Sequence, residues 1–276
     1  MKRIASLLML ATRSTLWKAA GITLASCLAE AGLFLAALSG WQDTVRTAYY
    51  EYSNPMGLEG LLMQYPLSWC FRIGLVLVCA VLAFLGWEGS SRVSYTLRRL
   101  SVGHRALTLL WAGYGFFCLL FFWAAHLGTL LALCAAALPR LAPEFSGPQA
   151  LFLACYRDPY LHSLLPLDDC LLWVRNLSMC AALGTAAASF SFQRRMGRRA
   201  FAILPLAALS ALCFPLPMGS FEFGGPAEFL RPYLYDGIFS SADGLPSVLG
   251  PVLLFVSLCV LAASLCQILW RDPYEE

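Results

Sequence analysis

Charge is the first thing this chain is short of. Only 13% of its 276 residues are Asp, Glu, Lys or Arg, whereas 59% are hydrophobic, and a soluble domain of this length carries about twice that charge fraction. The apolar residues come in long blocks rather than in alternation, which selects the membrane class. Catalytic and nucleotide motifs are also lacking. There is no GxxxxGK[ST] phosphate loop, so the chain cannot be its own ATPase. No HExxH and no Gly-x-Ser-x-Gly elbow is present, and Asp168 and Asp169, being adjacent, point in different directions on a helix and make no natural dyad. The three histidines are scattered along the chain, which argues against zinc. Eleven cysteines are present without one CxxC pair, and most lie inside apolar blocks, where they read as small packing hydrophobes. Repeats and low-complexity tracts are absent as well.

What is there divides into six apolar runs. Residues 1–17 are too short and too punctuated to span, and suit an amphipathic helix lying on the inner membrane surface. Arg13 and Lys18 interrupt this first run, against a cleavable signal peptide. The remainder, 18–276, reads as an all-α transmembrane domain with six spans at about 19–38, 66–87, 106–138, 167–192, 200–216 and 246–270. Span three is too long for one untilted crossing, so it must tilt, kink or project beyond the bilayer. Span five contains Pro205 and Pro215, whose neighbours must satisfy the backbone groups that proline frees. Loops 39–65, 139–166 and 217–245 fall on one side. The middle one, with three prolines ahead of Arg157-Asp158-Pro159-Tyr160, reads as structured but irregular.

The basic residues orient these spans. With both termini in the cytoplasm, Lys2, Arg3, Arg13, Lys18, Arg92, Arg98, Arg99, Arg105, Arg194, Arg195, Arg198, Arg199 and Arg271 lie inside, thirteen of the nineteen Lys and Arg residues. Acids, including Asp43, Glu144, Asp158, Glu222, Asp236 and Asp243, fall outside. Short loops with this bias define a multi-pass protein of the cell membrane, N-in and C-in. Topology and contact with membrane lipid account for the basic loops, and no nucleic-acid partner is expected.

Several charges fall within the runs. Glu30 lies about 18 Å from the inner end by helical rise, and Arg72 about 22 Å on the neighbouring span. A lone charge at that depth costs roughly 3 kcal/mol, so pairing is expected. The pair reads either as a lock between spans one and two or as a gate or substrate contact. Arg175, seven positions from Asp168 and close to Asp169, suggests an outer vestibule or anchor. His126, near the outer end of span three, reads as a hydrogen-bonded packing histidine rather than a proton relay. Cys155 and Cys170 flank the external loop between spans three and four, a position that permits a disulfide.

The cytoplasmic loop 88–105 contains VSYTLRRLSVGH, a short amphipathic stretch. Its Tyr95, Leu97, Leu100 and Val102 supply apolar contacts, and Arg98, Arg99 and Arg105 supply charge. An amphipathic start, six spans and LRRLSVGHRALTLLW between spans two and three resemble an ABC-2-type transporter permease. In that family a coupling helix ends on a leucine, a proline or small residue, an aliphatic residue and a serine-basic pair. Here Leu100-Ser101-Val102-Gly103-His104-Arg105 takes that place, with Ser101 where proline is frequent and Gly103-His104 in place of the pair. The resemblance implies that residues 93–104 dock on a separate ABC ATPase subunit that uses Mg-ATP. It also implies a second permease subunit, identical or related, and no cofactor within this chain. The alternative is a non-transporting accessory or sensor protein, and behind it an intramembrane enzyme.

Overall fold

The computed structural model describes residues 2–48, 57–58, 61–62, 66–84, 104–141, 147–167, 169–195, 202–214 and 245–270. Among these the regular structure is entirely helical: α1 (Lys2–Ala48), α2 (Ser68–Ala83), α3 (His104–Ala137), α4 (Ala150–Arg157), α5 (Pro159–Leu164), α6 (Cys170–Arg195), α7 (Ile203–Cys213) and α8 (Leu245–Trp270). A short 3-10 turn, Leu138–Arg140, ends α3, with Pro139 in its first turn. Among the described residues, four segments are long and apolar enough to cross a membrane: Thr15–Ser39, Arg105–Arg140, Cys170–Arg194 and Leu249–Trp270. The protein is therefore a helical membrane protein.

Two details differ from the sequence expectation. Residues 2–17 are helical, but they run without a break into the first span as one 47-residue helix, about 70 Å long. No turn separates an interface helix from the span, because nothing between Thr15 and Ala19 breaks the helical pattern. The second difference is length. Expected spans two and five appear as apolar helices of 16 and 11 residues, about 24 Å and 16 Å, short of a full crossing. Span three, by contrast, is one unbroken helix of 34 residues. Pro205 falls in the first turn of α7, where the missing amide has no helical partner to lose; Pro215 lies outside the described residues.

The loop between α3 and α6 is built by two capping aspartates. The Asp158 carboxylate accepts from the Leu161 amide at 2.6 Å, and Pro159 occupies the first position of α5. Asp169 does the same for α6, accepting from Leu171 at 2.8 Å and Leu172 at 3.2 Å. The sequence Arg157-Asp158-Pro159 thereby ends one short helix and starts the next.

Side-chain contacts fix the relative direction of the helices. Thr15 meets Tyr114 at 3.0 Å and Ser26 meets His126 at 3.0 Å, so α1 and α3 run the same way. Gly115 lies on Gly184 and the Trp123 ring 5.4 Å from Trp173, so α6 runs opposite to α3. Gln193 at the end of α6 donates to Gln267 near the end of α8, and Ser189 donates to the same oxygen at 3.2 Å. The Arg194 guanidinium sits 5.4 Å from the Phe84 ring that follows α2. One end of the bundle therefore gathers the starts of α1 and α3 with the ends of α2, α6 and α8. The other end carries α4 and α5. Phe214, which follows α7, accepts from Arg175 near the start of α6, so α7 runs towards the α4–α5 end.

Without a hydrophobic effect between helices in lipid, close backbone approach carries much of the packing. At the α3–α6 crossing a Cβ added to Gly184 would lie 2.6 Å from the Phe116 amide nitrogen and 3.1 Å from the Ala112 carbonyl oxygen. Backbone cannot yield as a side chain can. Gly184→Ala should destabilise the fold by about 1–3 kcal/mol, read as earlier thermal unfolding in detergent. Gly113→Ala, whose Cβ meets nothing within 4 Å, should unfold at or above the wild-type temperature, because alanine is the better helix former.

Candidate functional site: a buried carboxylate shared by three helices

Glu30 on α1 is fully buried, and so is His126 on α3. His126 Nδ1 and Glu30 Oε2 share a hydrogen bond of 2.7 Å. The Tyr160 hydroxyl of α5 donates to the other carboxylate oxygen, Oε1, at 2.8 Å. On the far side of the imidazole, Nε2 lies 3.0 Å from Ser26 Oγ, one turn below Glu30 on α1. Thus Ser26, His126, Glu30 and Tyr160 form a continuous polar chain joining α1, α3 and α5. Burial, and then the adjacent Glu30 carboxylate, push the Tyr160 phenol well above its ordinary range, so it stays a donor.

Apolar rings enclose this chain. Phe122 and Phe71 have ring centroids 4.6 Å and 5.2 Å from that of His126, and Phe71 also stacks on Phe214 at 4.3 Å. Gly74 on α2 makes the enclosure tight: a Cβ there would sit 2.9 Å from the Phe122 ring and 3.0 Å from Ser26 Oγ. In such surroundings polar bonds are strong and a missing partner is expensive.

The short helix α5 is held at its other end too. Trp123 Nε1 donates to the Leu164 carbonyl at 3.0 Å, and Asn176 Nδ2 donates to the Ser163 carbonyl at 2.8 Å. Beside Asn176, the fully buried Arg175 donates from Nη2 to the Phe214 carbonyl at 2.9 Å and to Asn176 Oδ1 at 3.1 Å. The carbonyls left open where α5 and α7 end are thereby met by side chains of α3 and α6. A six-residue helix could not stand alone in water or lipid; here side chains from three long helices fix it.

The residues singled out in the sequence fall as follows. Glu30 makes no ion pair with Arg72, because its two oxygens are taken by His126 and Tyr160. The helical-rise estimate put Glu30 and Arg72 at one depth but carried no information on which faces of α1 and α2 they occupy. Arg72 instead stacks its guanidinium 5.0 Å from the Trp69 ring, and its buried Nε has no hydrogen-bond partner. His126 is a hydrogen-bonded buried histidine, as expected from the sequence. Arg175 is not a vestibule charge but a buried bracket, Asp169 is a helix cap, and Asp168 lies outside the described residues. Cys155 is buried and Cys170 exposed, and both are free thiols. Tyr95, Leu97, Arg98, Arg99, Leu100 and Val102 lie outside the described residues, as does the His104 side chain; Arg105 is exposed on the first turn of α3. Tyr160 and Ser26 had not been singled out. The Asp158-Pro159 punctuation gave the only local signal, and nothing in it points to a glutamate 130 residues away.

Cys27, Glu30 and His126 offer donor atoms within 4.8 Å of one another, a set of the zinc-binding kind. Protein groups already engage two of the three: Glu30 and His126 bond each other, and Tyr160 and Ser26 take their remaining sites. Comparison with known proteins finds no matching family model, no similar curated protein and no similar solved structure.

Tyr160→Phe removes one donor from a buried carboxylate, and should cost about 1–2 kcal/mol in thermal unfolding. In the folded protein a maleimide should label Cys170 well before Cys155, as peptide mass mapping would show. Equal labelling would mean that the α4–α5 region does not pack as described.

Proposed function

We propose that this chain is the transmembrane permease subunit of an ATP-driven, ABC-2-like exporter. The reading is carried by one feature, the segment Leu100-Ser101-Val102-Gly103-His104-Arg105, which leads directly into α3 at its first residue, His104. It enters at the end of the bundle where α6 and α8 finish and where α1 begins. Arg13, Lys18, Arg105 and Arg194 belong to that end, which makes it the cytoplasmic side by the positive-inside rule. Both termini then lie in the cytoplasm, and the membrane is the cell membrane.

The order of directions supports six crossings. Helices α1, α2, α3, α6, α7 and α8 alternate in direction along the chain, as a six-span up-and-down topology requires, although α2 and α7 are short. Helices α4 and α5 cap the opposite, external end. The chain has no phosphate loop, so the energy comes from Mg-ATP bound by a partner ATPase, and two permease subunits make one transporter. Residues 93–104 are the proposed docking segment, through Tyr95, Leu97, Leu100 and Val102, with Arg98, Arg99, His104 and Arg105 beside them.

Co-expression with an ABC ATPase found encoded in the same genome tests the reading. The two should copurify in detergent, and Leu97→Glu with Leu100→Glu should abolish copurification while leaving the thermal unfolding of the permease unchanged. Copurification that survives both substitutions would remove the coupling role of this loop. The absence of any ATPase partner would favour the accessory-protein reading.

A further inference from the structure

Cys27, Glu30 and His126 carry a thiol, a carboxylate and an imidazole, the three kinds of donor that zinc takes, and their ligand atoms all lie within 4.8 Å of one another. Scattered histidines argue against a zinc site built from histidine alone, but this set needs only one. Cys27 and Glu30 stand three positions apart on one face of α1, and His126 of α3 meets them there. Both α1 residues lie near the middle of the span Thr15–Ser39, the depth at which uncompensated charge is most costly. Glu30 and His126 have no exposure, whereas Cys27 keeps 9%, so the thiol is the member that an arriving ion meets first.

We propose that Cys27, Glu30 and His126 bind a divalent transition-metal ion of the zinc class, which ties α1 to α3. Bonds of about 2.0–2.3 Å to such an ion set neighbouring donors about 3.2–3.6 Å apart in a tetrahedron. The 2.7 Å between Glu30 Oε2 and His126 Nδ1 therefore opens by about half an ångström. The Cys27 sulfur moves in by no more than about 1.5 Å, which side-chain rotation supplies. The ion takes the place of the hydrogen between Oε2 and Nδ1 and displaces the thiol proton to solvent. Thiolate, carboxylate and neutral imidazole then balance a double positive charge. The complex is neutral, as the middle of a lipid-embedded bundle demands.

The groups around the trio hold its members as metal ligands are commonly held, by further hydrogen bonds that set their orientation. The other ring nitrogen, Nε2, has Ser26 Oγ at 3.0 Å, and the other carboxylate oxygen accepts from Tyr160 at 2.8 Å. Coordination through Nδ1 and Oε2 leaves both contacts in place. Phe122 and Phe71 pack on the imidazole and keep it turned towards α1. One sulfur, one nitrogen and one carboxylate oxygen suit zinc or cobalt, whereas magnesium and calcium ask for oxygen throughout. Three protein donors leave one corner of the tetrahedron to an exchangeable ligand such as water, unlike a closed structural centre. The inference concerns the chain alone and does not rest on transport.

The test is cobalt(II) chloride titrated into the full chain in lipid nanodiscs after treatment with a chelator. Cys170, Cys259 and Cys266 are exposed, so the titration is run with and without Cys170→Ser, Cys259→Ser and Cys266→Ser together. Expected in both is one ion per chain, a thiolate-to-cobalt band in the near ultraviolet and the intense visible bands of four-coordinate cobalt, all lost on adding zinc. Cys27→Ser should abolish the thiolate band and weaken binding at least about tenfold. The absence of a cobalt spectrum, or a thiolate band that persists in Cys27→Ser, overturns the proposal. A spectrum seen only while the three exposed thiols are present means an adventitious ion only, and overturns it as well. Should Cys27→Ser fail to fold, thermal unfolding of the chain lacking the three exposed thiols decides instead. Added zinc should raise its unfolding temperature, and an unchanged temperature contradicts the site.

Discussion

A carboxylate inside a lipid-embedded bundle has no water to fall back on, and each of its oxygens needs a donor. Glu30 takes one donor from α3 and one from α5, so a requirement of one side chain becomes a contact among three elements. Much of the surrounding architecture follows from keeping that contact dry. Phe71 and Phe122 close over the imidazole, and Gly74 admits Ser26 to the same level. The short helix α5 owes its place to this bond at one end and to Trp123 and Asn176 at the other.

The two ends of the bundle are built differently. Towards α4 and α5 the helices are joined by buried polar groups that leave little freedom: the Glu30 chain, the Arg175 bracket and two capping aspartates. At the level of Tyr114, α3 and α6 meet through glycine, backbone against backbone. The basic end is tied by neutral amides and hydroxyls, Thr15 with Tyr114 and Gln193 with Gln267. These break at lower cost than a buried charged bond.

The sequence announced the membrane class, the helical content and the four long spans, because each rests on long apolar blocks or on helical rise. Charge segregation fixed an expected orientation for the same reason. The capped short helices between α3 and α6 were legible from Asp158 and Pro159. The partner of Glu30 was not. Depth counted from Lys18 and Trp87 brought Arg72 level with it, yet depth says nothing about azimuth, and α2 turns Arg72 towards Trp69. Nor does any local pattern link positions 30, 126 and 160. Arg175 looked like a vestibule charge because Asp168 and Asp169 lie close in sequence; the carbonyl it bonds belongs to Phe214, 39 positions away. The shortness of α2 and α7 was hidden too, since apolar composition continues past the helix ends.

Glu30 couples the short helix α5 to the long helices α1 and α3. A double-mutant cycle of Glu30→Leu and Tyr160→Phe, read by thermal unfolding in lipid nanodiscs, measures that coupling directly. An interaction energy of about 1 kcal/mol or more is predicted, with Tyr160→Phe losing most of its effect once Glu30 is replaced. Additive effects of the two substitutions would contradict it.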